Sequence, residues 1–427
     1  MVSSQEEFIS EIDKSIETGK SWLWGAYVRA EDGATGWSHF LGDREPTVWG
    51  GTLDGIRAMF HLGVPPLSTD LNNAINWMKG QQRPDGGFGS REMDYSSSEA
   101  TSWVIITLAQ VGLDSENDQV VRSAVAYLLK CVDSDGGVAT TPLDLDQPRT
   151  FPAALALWAL SSQPDSTVVR NRIIDRLRST QDTKSGGWSQ RSGAQPNPIT
   201  TAQVVSALIN SGLSTDTTWV RDAAKYVVKH QSETGAWPNS HDEWFTKANP
   251  RIPYRTSHFG TAWVLFALSN FDDREYQESG VRGVRYLVTS QAPSGAWIYE
   301  EYDPTEQVWC TTQALIALSL WRSRPPNLFR VAGSGRFGPA LLIASSAFSK
   351  LLSWVRAHLL YIIIALVVLT QFREQISGFF DVLLEFFRID TKGIWTNLVS
   401  SSLWALLILT GGYVLRTLAK ERSNANK

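Results

Sequence analysis

Four carboxylates stand where proton transfer would use them: Asp144 and Asp146, one residue apart, then Glu99 and Glu306. Each lies in or beside a loop that leads into an apolar, helix-like run, where a carboxylic acid can act as a general acid. For Asp144 and Asp146 a solvated turn is the plainer role, since both lie several residues upstream of the run. A second chemistry is anion binding, for which Arg251 and Arg255 sit in a stretch of loop character. A third is apolar recognition by rings: Trp49, Trp103, Phe151, His258, Phe259 and Trp309 recur at the same level of successive units. Metal chemistry finds no ligand set. The six histidines form no spacing cluster, and Cys310 reads as a buried hydrophobe. Gly333 to Gly338 matches G-x-G-x-x-G but lacks a surrounding βαβ unit, and Lys14 stands where a P-loop ending in Gly19-Lys20-Ser21 needs glycine. No cofactor is expected.

The elements that position these residues come from a repeat. A glycine-aromatic turn recurs at Gly36-Trp37, Gly86-Gly87-Phe88, Gly136-Gly137-Val138, Gly186-Gly187-Trp188, Gly235-Ala236-Trp237 and Gly295-Ala296-Trp297. The period is near fifty residues, and each turn is followed by a small residue that opens an apolar run: Thr52, Thr101, Ala153, Thr201, Thr261 and Thr311. The gap from Trp237 to Thr261 is longer than its sisters, which marks an insertion over 239–255 and suggests a lid or partner surface. Each unit reads as two helices, one enclosed on all sides and one with a single apolar stripe such as Leu71, Ala74, Ile75 and Met78. Six such pairs predict an all-α fold, a closed six-repeat α/α toroid over residues 1–322. Its enclosed helices run in one direction, so their N-termini should converge on one mouth and favour anions there.

Composition narrows the function. Of 427 residues, 43% are hydrophobic and 19% charged, so the chain can bury a core. A net charge of −4 removes the basic excess of a nucleic-acid binder. The 2 cysteines favour a reducing compartment, and the first twenty residues are polar rather than signal-like. Residues 323–350 read as a linker. Beyond it, 351–372 and 394–415 are apolar enough to cross a bilayer of roughly 30 Å, which makes 351–427 a membrane region. More Lys and Arg flank the pair than lie between its members, so both ends and the toroid are expected on the cytoplasmic side. Lipid is then one partner, and the membrane helices offer a route to an oligomer.

The turns Gln82-Arg83-Pro84-Asp85-Gly86-Gly87-Phe88, Gln231 to Trp237 and Gln291 to Trp297 resemble the Gln-Trp repeats of squalene–hopene and other class II terpene cyclases. The fold also resembles the toroid of protein prenyltransferase β subunits. The likeness covers residues 5–322 and implies that Gln and Trp tie outer helices together. It also implies an Asp-x-Asp-Asp motif directly before one Thr-Ala helix start, and no unit carries it. A zinc site of the prenyltransferase kind would need Asp and His where Gln307 and Cys310 stand.

Two functions follow as expectations. One is a membrane-anchored toroid that binds an apolar or anionic, isoprenoid-like ligand or a partner and relays this to the bilayer. A membrane effector in a bacterial stress or antiviral pathway would have that layout. The alternative is a noncanonical isoprenoid cyclase or prenyltransferase, with Asp144, Asp146, Glu99 and Glu306 as its first acid candidates.

Overall fold

The computed structural model describes residues 2–39, 41–89, 94–191, 193–237, 257–298 and 306–324, without the side chains of 2–4 and 257–258. The chain divides into two compact units, Met1–Val331 and Ala332–Lys427. The expected linker beyond Arg324, both expected membrane spans and the insertion at 239–255 lie outside the described residues. Among those described, no helix is long and apolar enough to cross a membrane.

Among the described residues of the first unit, twelve helices carry the fold: α1 (Val2–Gly25), α2 (Leu53–His61), α3 (Thr69–Gly80), α4 (Ser98–Gln110), α5 (Gln119–Lys130) and α6 (Thr150–Ser161), then α7 (Thr167–Ser179), α8 (Pro198–Asn210), α9 (Thr218–Lys229), α10 (Ser257–Leu268), α11 (Arg274–Ser290) and α12 (Val308–Ser323). The all-α expectation misses a small hairpin, where β1 (Tyr27–Arg29) pairs antiparallel with β2 (Thr35–Trp37). It follows α1 and holds the first repeat's turn.

The even-numbered helices form the inner ring. Each touches the next, from α2 through α4, α6, α8 and α10 to α12, and α12 packs back on α2. The ring is closed. Its members are buried nearly all round: every residue of α8 from Ile199 to Leu208 is buried. Outer helices bury one stripe instead, as α3 does with Leu71, Ala74, Ile75 and Met78. The difference follows from position, because an inner helix has neighbours on all sides and an outer helix only on one. Three of the described helix starts carry a side-chain cap. Ser97 accepts from the Ala100 N–H, Asp118 from Val120 and Val121, and Asn197 from Thr200.

The repeated turn works as a staple, with the same bonds recurring wherever its Gln and Trp are present. Its glycine is left-handed at Gly86, Gly136, Gly186, Gly235 and Gly295, with φ from 80° to 102°. A β-carbon at Gly86 would lie 2.6 Å from the Ser123 carbonyl of the next outer helix, so the turn needs both the conformation and the bare α-carbon. The glutamine opening the turn donates twice. Gln231 Nε2 reaches its own Gly235 carbonyl at 2.8 Å and the Ser279 carbonyl of α11 at 2.9 Å. The aromatic residue then points inward, and Trp188, Trp237 and Trp297 each donate Nε1–H to a carbonyl near the end of the preceding outer helix. Their backbone N–H groups bond the Oγ1 of Thr201, Thr261 and Thr311, which fixes the start of the inner helix.

Closure uses the same staple. Gln291 Nε2 donates to the Gly295 carbonyl at 2.8 Å and to the Ser15 carbonyl of α1 at 2.9 Å. Gln291→Ala should therefore loosen the seam without unfolding the ring, at a cost of about 1–2 kcal/mol for two lost bonds. Amide hydrogen exchange should speed up across α1 and stay unchanged in α5 and α7.

Candidate functional site

The inner helices share a register that sorts their faces. Two residues after the helix-start positions Thr52, Thr101, Thr261 and Thr311 come Asp54, Trp103, Trp263 and Gln313; five after Thr52, Ala153 and Thr261 come Arg57, Trp158 and Phe266. These residues meet inside the ring. The Trp103 and Trp263 ring centroids are 5.7 Å apart although α4 and α10 stand opposite one another in ring order. Trp158 packs 5.7 Å from Trp103 and 5.3 Å from Phe266, and Phe151 lies 6.2 Å from Trp263. Phe259 and Trp309 form a separate edge-on pair at 5.0 Å, nearer the helix starts. Trp158, Phe266, Phe151, Phe259 and Trp309 are only partly buried, so part of each ring remains accessible.

A polar string on α2 interrupts this aromatic surface. Arg57, 1% exposed, lays its guanidinium over the Trp103 ring at 3.9 Å. Its Nη1 is 3.7 Å from Asp54 Oδ1, an ion pair without a hydrogen bond. Asp54, 4% exposed, accepts from Gln313 Nε2 at 3.2 Å. Burial pushes its carboxyl up to about 6, with Arg57 opposing. Burial lowers Arg57 to about 10, which leaves it charged at neutral pH. His61, one helical turn further on, contacts Gln110, and burial with Arg57 nearby lowers it to about 4. Sequence reasoning misses this string. The signal that finds it is the repeat register, which places Asp54 and Arg57 in line with Trp103 and Phe266.

The sequence candidates fall in several places. Glu99 is buried at the first turn of α4 and bonds Arg149 Nη1 at 2.9 Å, clipping α4 to the start of α6. Burial raises its carboxyl while Arg149 holds it down. Glu306 accepts from Trp22 Nε1 at 2.8 Å and from Ser294, so it joins α1 to the sixth turn. Asp144 accepts from Thr141 Oγ1 at 2.8 Å in a loop turn. Asp146 lines a polar cleft of about 990 Å³ between the third and fourth turns, with Arg149, Arg176, Lys184 and Arg191. Neither Asp144 nor Asp146 is brought to the aromatic cluster. Trp49 is half-buried in a π-type turn, Val48–Thr52, that leads into α2. Trp103, Phe151, Phe259 and Trp309 lie on inner helices α4, α6, α10 and α12. Arg251, Arg255 and the His258 side chain lie outside the described residues. Cys310 is fully buried, and no metal-binding group of His, Cys, Asp and Glu occurs among the described residues.

A closed helical ring stapled by Gln-Trp turns around an aromatic interior defines a class II terpene cyclase-like toroid. Residues 145–308 match the squalene–hopene cyclase C-terminal domain. A probable squalene–hopene cyclase of Sinorhizobium fredii is 25% identical over 278 residues, which is 58% of this chain and 33% of that one. Drimenyl diphosphate synthase of Streptomyces showdoensis is 26% identical over 208 residues, 47% of this chain and 38% of that one. This chain therefore spans about a third of the length of these relatives. In structure, the type II terpene cyclase MstE from Scytonema superposes with a TM-score of 0.52 at 18% identity, over 74% of this chain and 99% of that one.

Proposed function

We propose that the toroid is a binding module for an isoprenoid-class ligand, seated against the accessible ring faces of its interior. The observation that carries this reading is the meeting of Trp103, Trp158, Trp263 and Phe266 inside the ring. Stacked and edge-on rings suit a branched, unsaturated chain, which offers many weak contacts and few hydrogen bonds. A single-residue variant of the Scytonema cyclase holds geranylgeranyl dihydroxybenzoate as substrate, and that similarity of fold supports the class of ligand. We further propose that 351–372 and 394–415 anchor the toroid on the cytoplasmic side of a membrane, which would place the module where such lipids reside. The apolar lengths of those segments support this.

Catalysis by a noncanonical cyclase is the second reading, and one observation favours it. Asp54 and Glu99 are both buried on inner helices, and burial raises both carboxyls. An alkene-protonating acid must be strong, however, and burial makes both of these weaker acids than an ordinary carboxyl.

Titration of the full-length chain with geranylgeraniol, followed by tryptophan fluorescence, separates the readings. Saturable quenching is expected, with no cyclised product by gas chromatography–mass spectrometry. Trp158→Ala with Phe266→Ala should weaken binding roughly tenfold or more, at about 1 kcal/mol per lost aromatic contact. Absence of saturable binding would overturn the proposal, and turnover to a cyclic product would establish the enzyme instead.

A further inference from the structure

The third repeat departs from its sisters at two positions that meet in one place. Its turn ends on Val138 where Trp37, Phe88, Trp188, Trp237 and Trp297 end the others. Its inner helix carries Ala153 where the others carry a threonine. In the five sister units the aromatic residue's N–H bonds that threonine's Oγ1. The third turn thus lacks both the ring and the hydroxyl that pin its sisters to their inner helices. Val138 and Ala153, the two smaller residues, both line the cleft of about 990 Å³ between the third and fourth turns.

The charged lining of that cleft is Arg149, Arg176, Lys184 and Arg191 against Asp146 and Asp182. Two of the six are engaged elsewhere: Arg149 bonds Glu99 at 2.9 Å, and Asp182 accepts from the Ser185 N–H of its own turn at 2.8 Å. Arg176, Lys184 and Arg191 make no ion pair among the described residues. Burial lowers the Arg149 guanidinium, Glu99 opposes, and the charge of Arg191 adds to the lowering, so these two cations feel one another. At the edge of the cleft α6 begins at Thr150 with no side-chain cap, and the positive end of the helix adds to the field. Like charges gathered without counter-charges repel one another in the empty cleft, and an anion seated among them removes that cost.

We propose that this cleft binds a compact, soluble oligophosphate: an anion with several phosphate groups and neither a base nor a hydrocarbon tail. Guanidinium forks match phosphate oxygens two at a time, and each phosphate brings more charge and more acceptors than a carboxylate. The hydroxyls of Thr150, Thr180 and Ser189 supply neutral donors beside the cations. No aromatic residue lines the cleft, so nothing there stacks on a nucleobase. None of the rings that meet inside the toroid takes part either, so this site is separate from the isoprenoid site proposed above. Asp146, exposed at the rim, opposes the anion.

The test is isothermal titration calorimetry of the full-length chain with inorganic tripolyphosphate, and with citrate at the same ionic strength as the carboxylate control. Saturable binding of tripolyphosphate is expected, roughly tenfold tighter than citrate and weaker as salt is raised. Arg176→Gln with Arg191→Gln should weaken it by roughly ten- to a hundredfold, with an unchanged circular dichroism spectrum to show that the variant is folded. Asp146→Asn should tighten it, a gain that misfolding cannot imitate. A short-chain phosphoinositide should bind no more tightly than its free inositol phosphate head; tighter binding would make the ligand a lipid and overturn the soluble-anion claim. Binding that does not saturate, that citrate matches, or that ignores both the arginine and the Asp146 substitutions would overturn the site itself.

Discussion

Gly280→Ala is expected to destabilise the toroid by about 3 kcal/mol, although it adds a single methyl group to a helix. Alanine normally stabilises a helix relative to glycine. Here a β-carbon would stand 1.8 Å from Trp321 Cη2 and 2.2 Å from Cζ2. The indole has no room to retreat: it is 1% exposed and its Nε1 donates to the Leu265 carbonyl at 2.9 Å. It is a wedge shared by α10, α11 and α12. Either the wedge or α11 must shift, and close-packed interiors resist both. Urea unfolding monitored by circular dichroism measures the loss. Gly25→Ala is the control, since nothing lies within 4 Å of a β-carbon there, and it should be neutral or slightly stabilising. Equal midpoints for the Gly280 variant and the parent would mean that α11 does not pack on Trp321 as described.

His61→Gln should make the fold gain stability as the medium is acidified. The folded pKa of His61 is lowered to about 4 from 6.5, so the unfolded chain takes up its proton first as the pH falls. Stability contributed by neutral His61 is present above pH 6.5 and lost between there and about 4, by about 3 kcal/mol. Asp54 works in the opposite sense. Its folded pKa is raised from 3.8 to about 6, so the fold regains a comparable amount as the pH falls through that window. The parent should thus show a nearly flat contribution from the pair between pH 6.5 and 4, with each effect masking the other. His61→Gln leaves Asp54 alone, and the variant should gain stability over the parent as the medium is acidified. Asp54→Asn should do the reverse. Urea midpoints at pH 7.5, 5.5 and 4.5 check both; parallel pH profiles for parent and variants would show that neither group is held away from water.

The fold was legible because its determinants are local and repeated. Gly86, Gly186, Gly235 and Gly295 are forced by left-handed turns that press on the next helix, and the Gln opening each of these turns makes the same pair of bonds each time, as do the Trp residues of the last three. A period of fifty residues amplifies such signals. The hairpin at Tyr27–Trp37 escaped because it occurs once and its strands are three residues long. The interior was only partly legible. Rings at Trp103, Phe151 and Trp309 announce themselves by type, whereas Asp54 and Arg57 look like ordinary polar residues of an amphipathic helix. They become visible only when counted from Thr52 in the common register, because burial in this ring depends on the five other inner helices. Glu99 and Glu306 looked like acids for chemistry. The structure gives them seam and clip partners, Arg149, Trp22 and Ser294, on elements that sequence spacing does not bring together.

The central claim is that an isoprenoid sits inside the ring, and photo-crosslinking with a diazirine-bearing geranylgeraniol tests it most directly. After irradiation of the full-length chain and proteolysis, labelled peptides are mapped by mass spectrometry, with unlabelled geranylgeraniol as competitor. Competable label is expected on the inner helices, in peptides that carry Trp103, Trp158 and the Trp263–Phe266 pair. Label confined to the outer helices α3, α5, α7 and α9, or label that competitor does not reduce, would contradict an interior isoprenoid site.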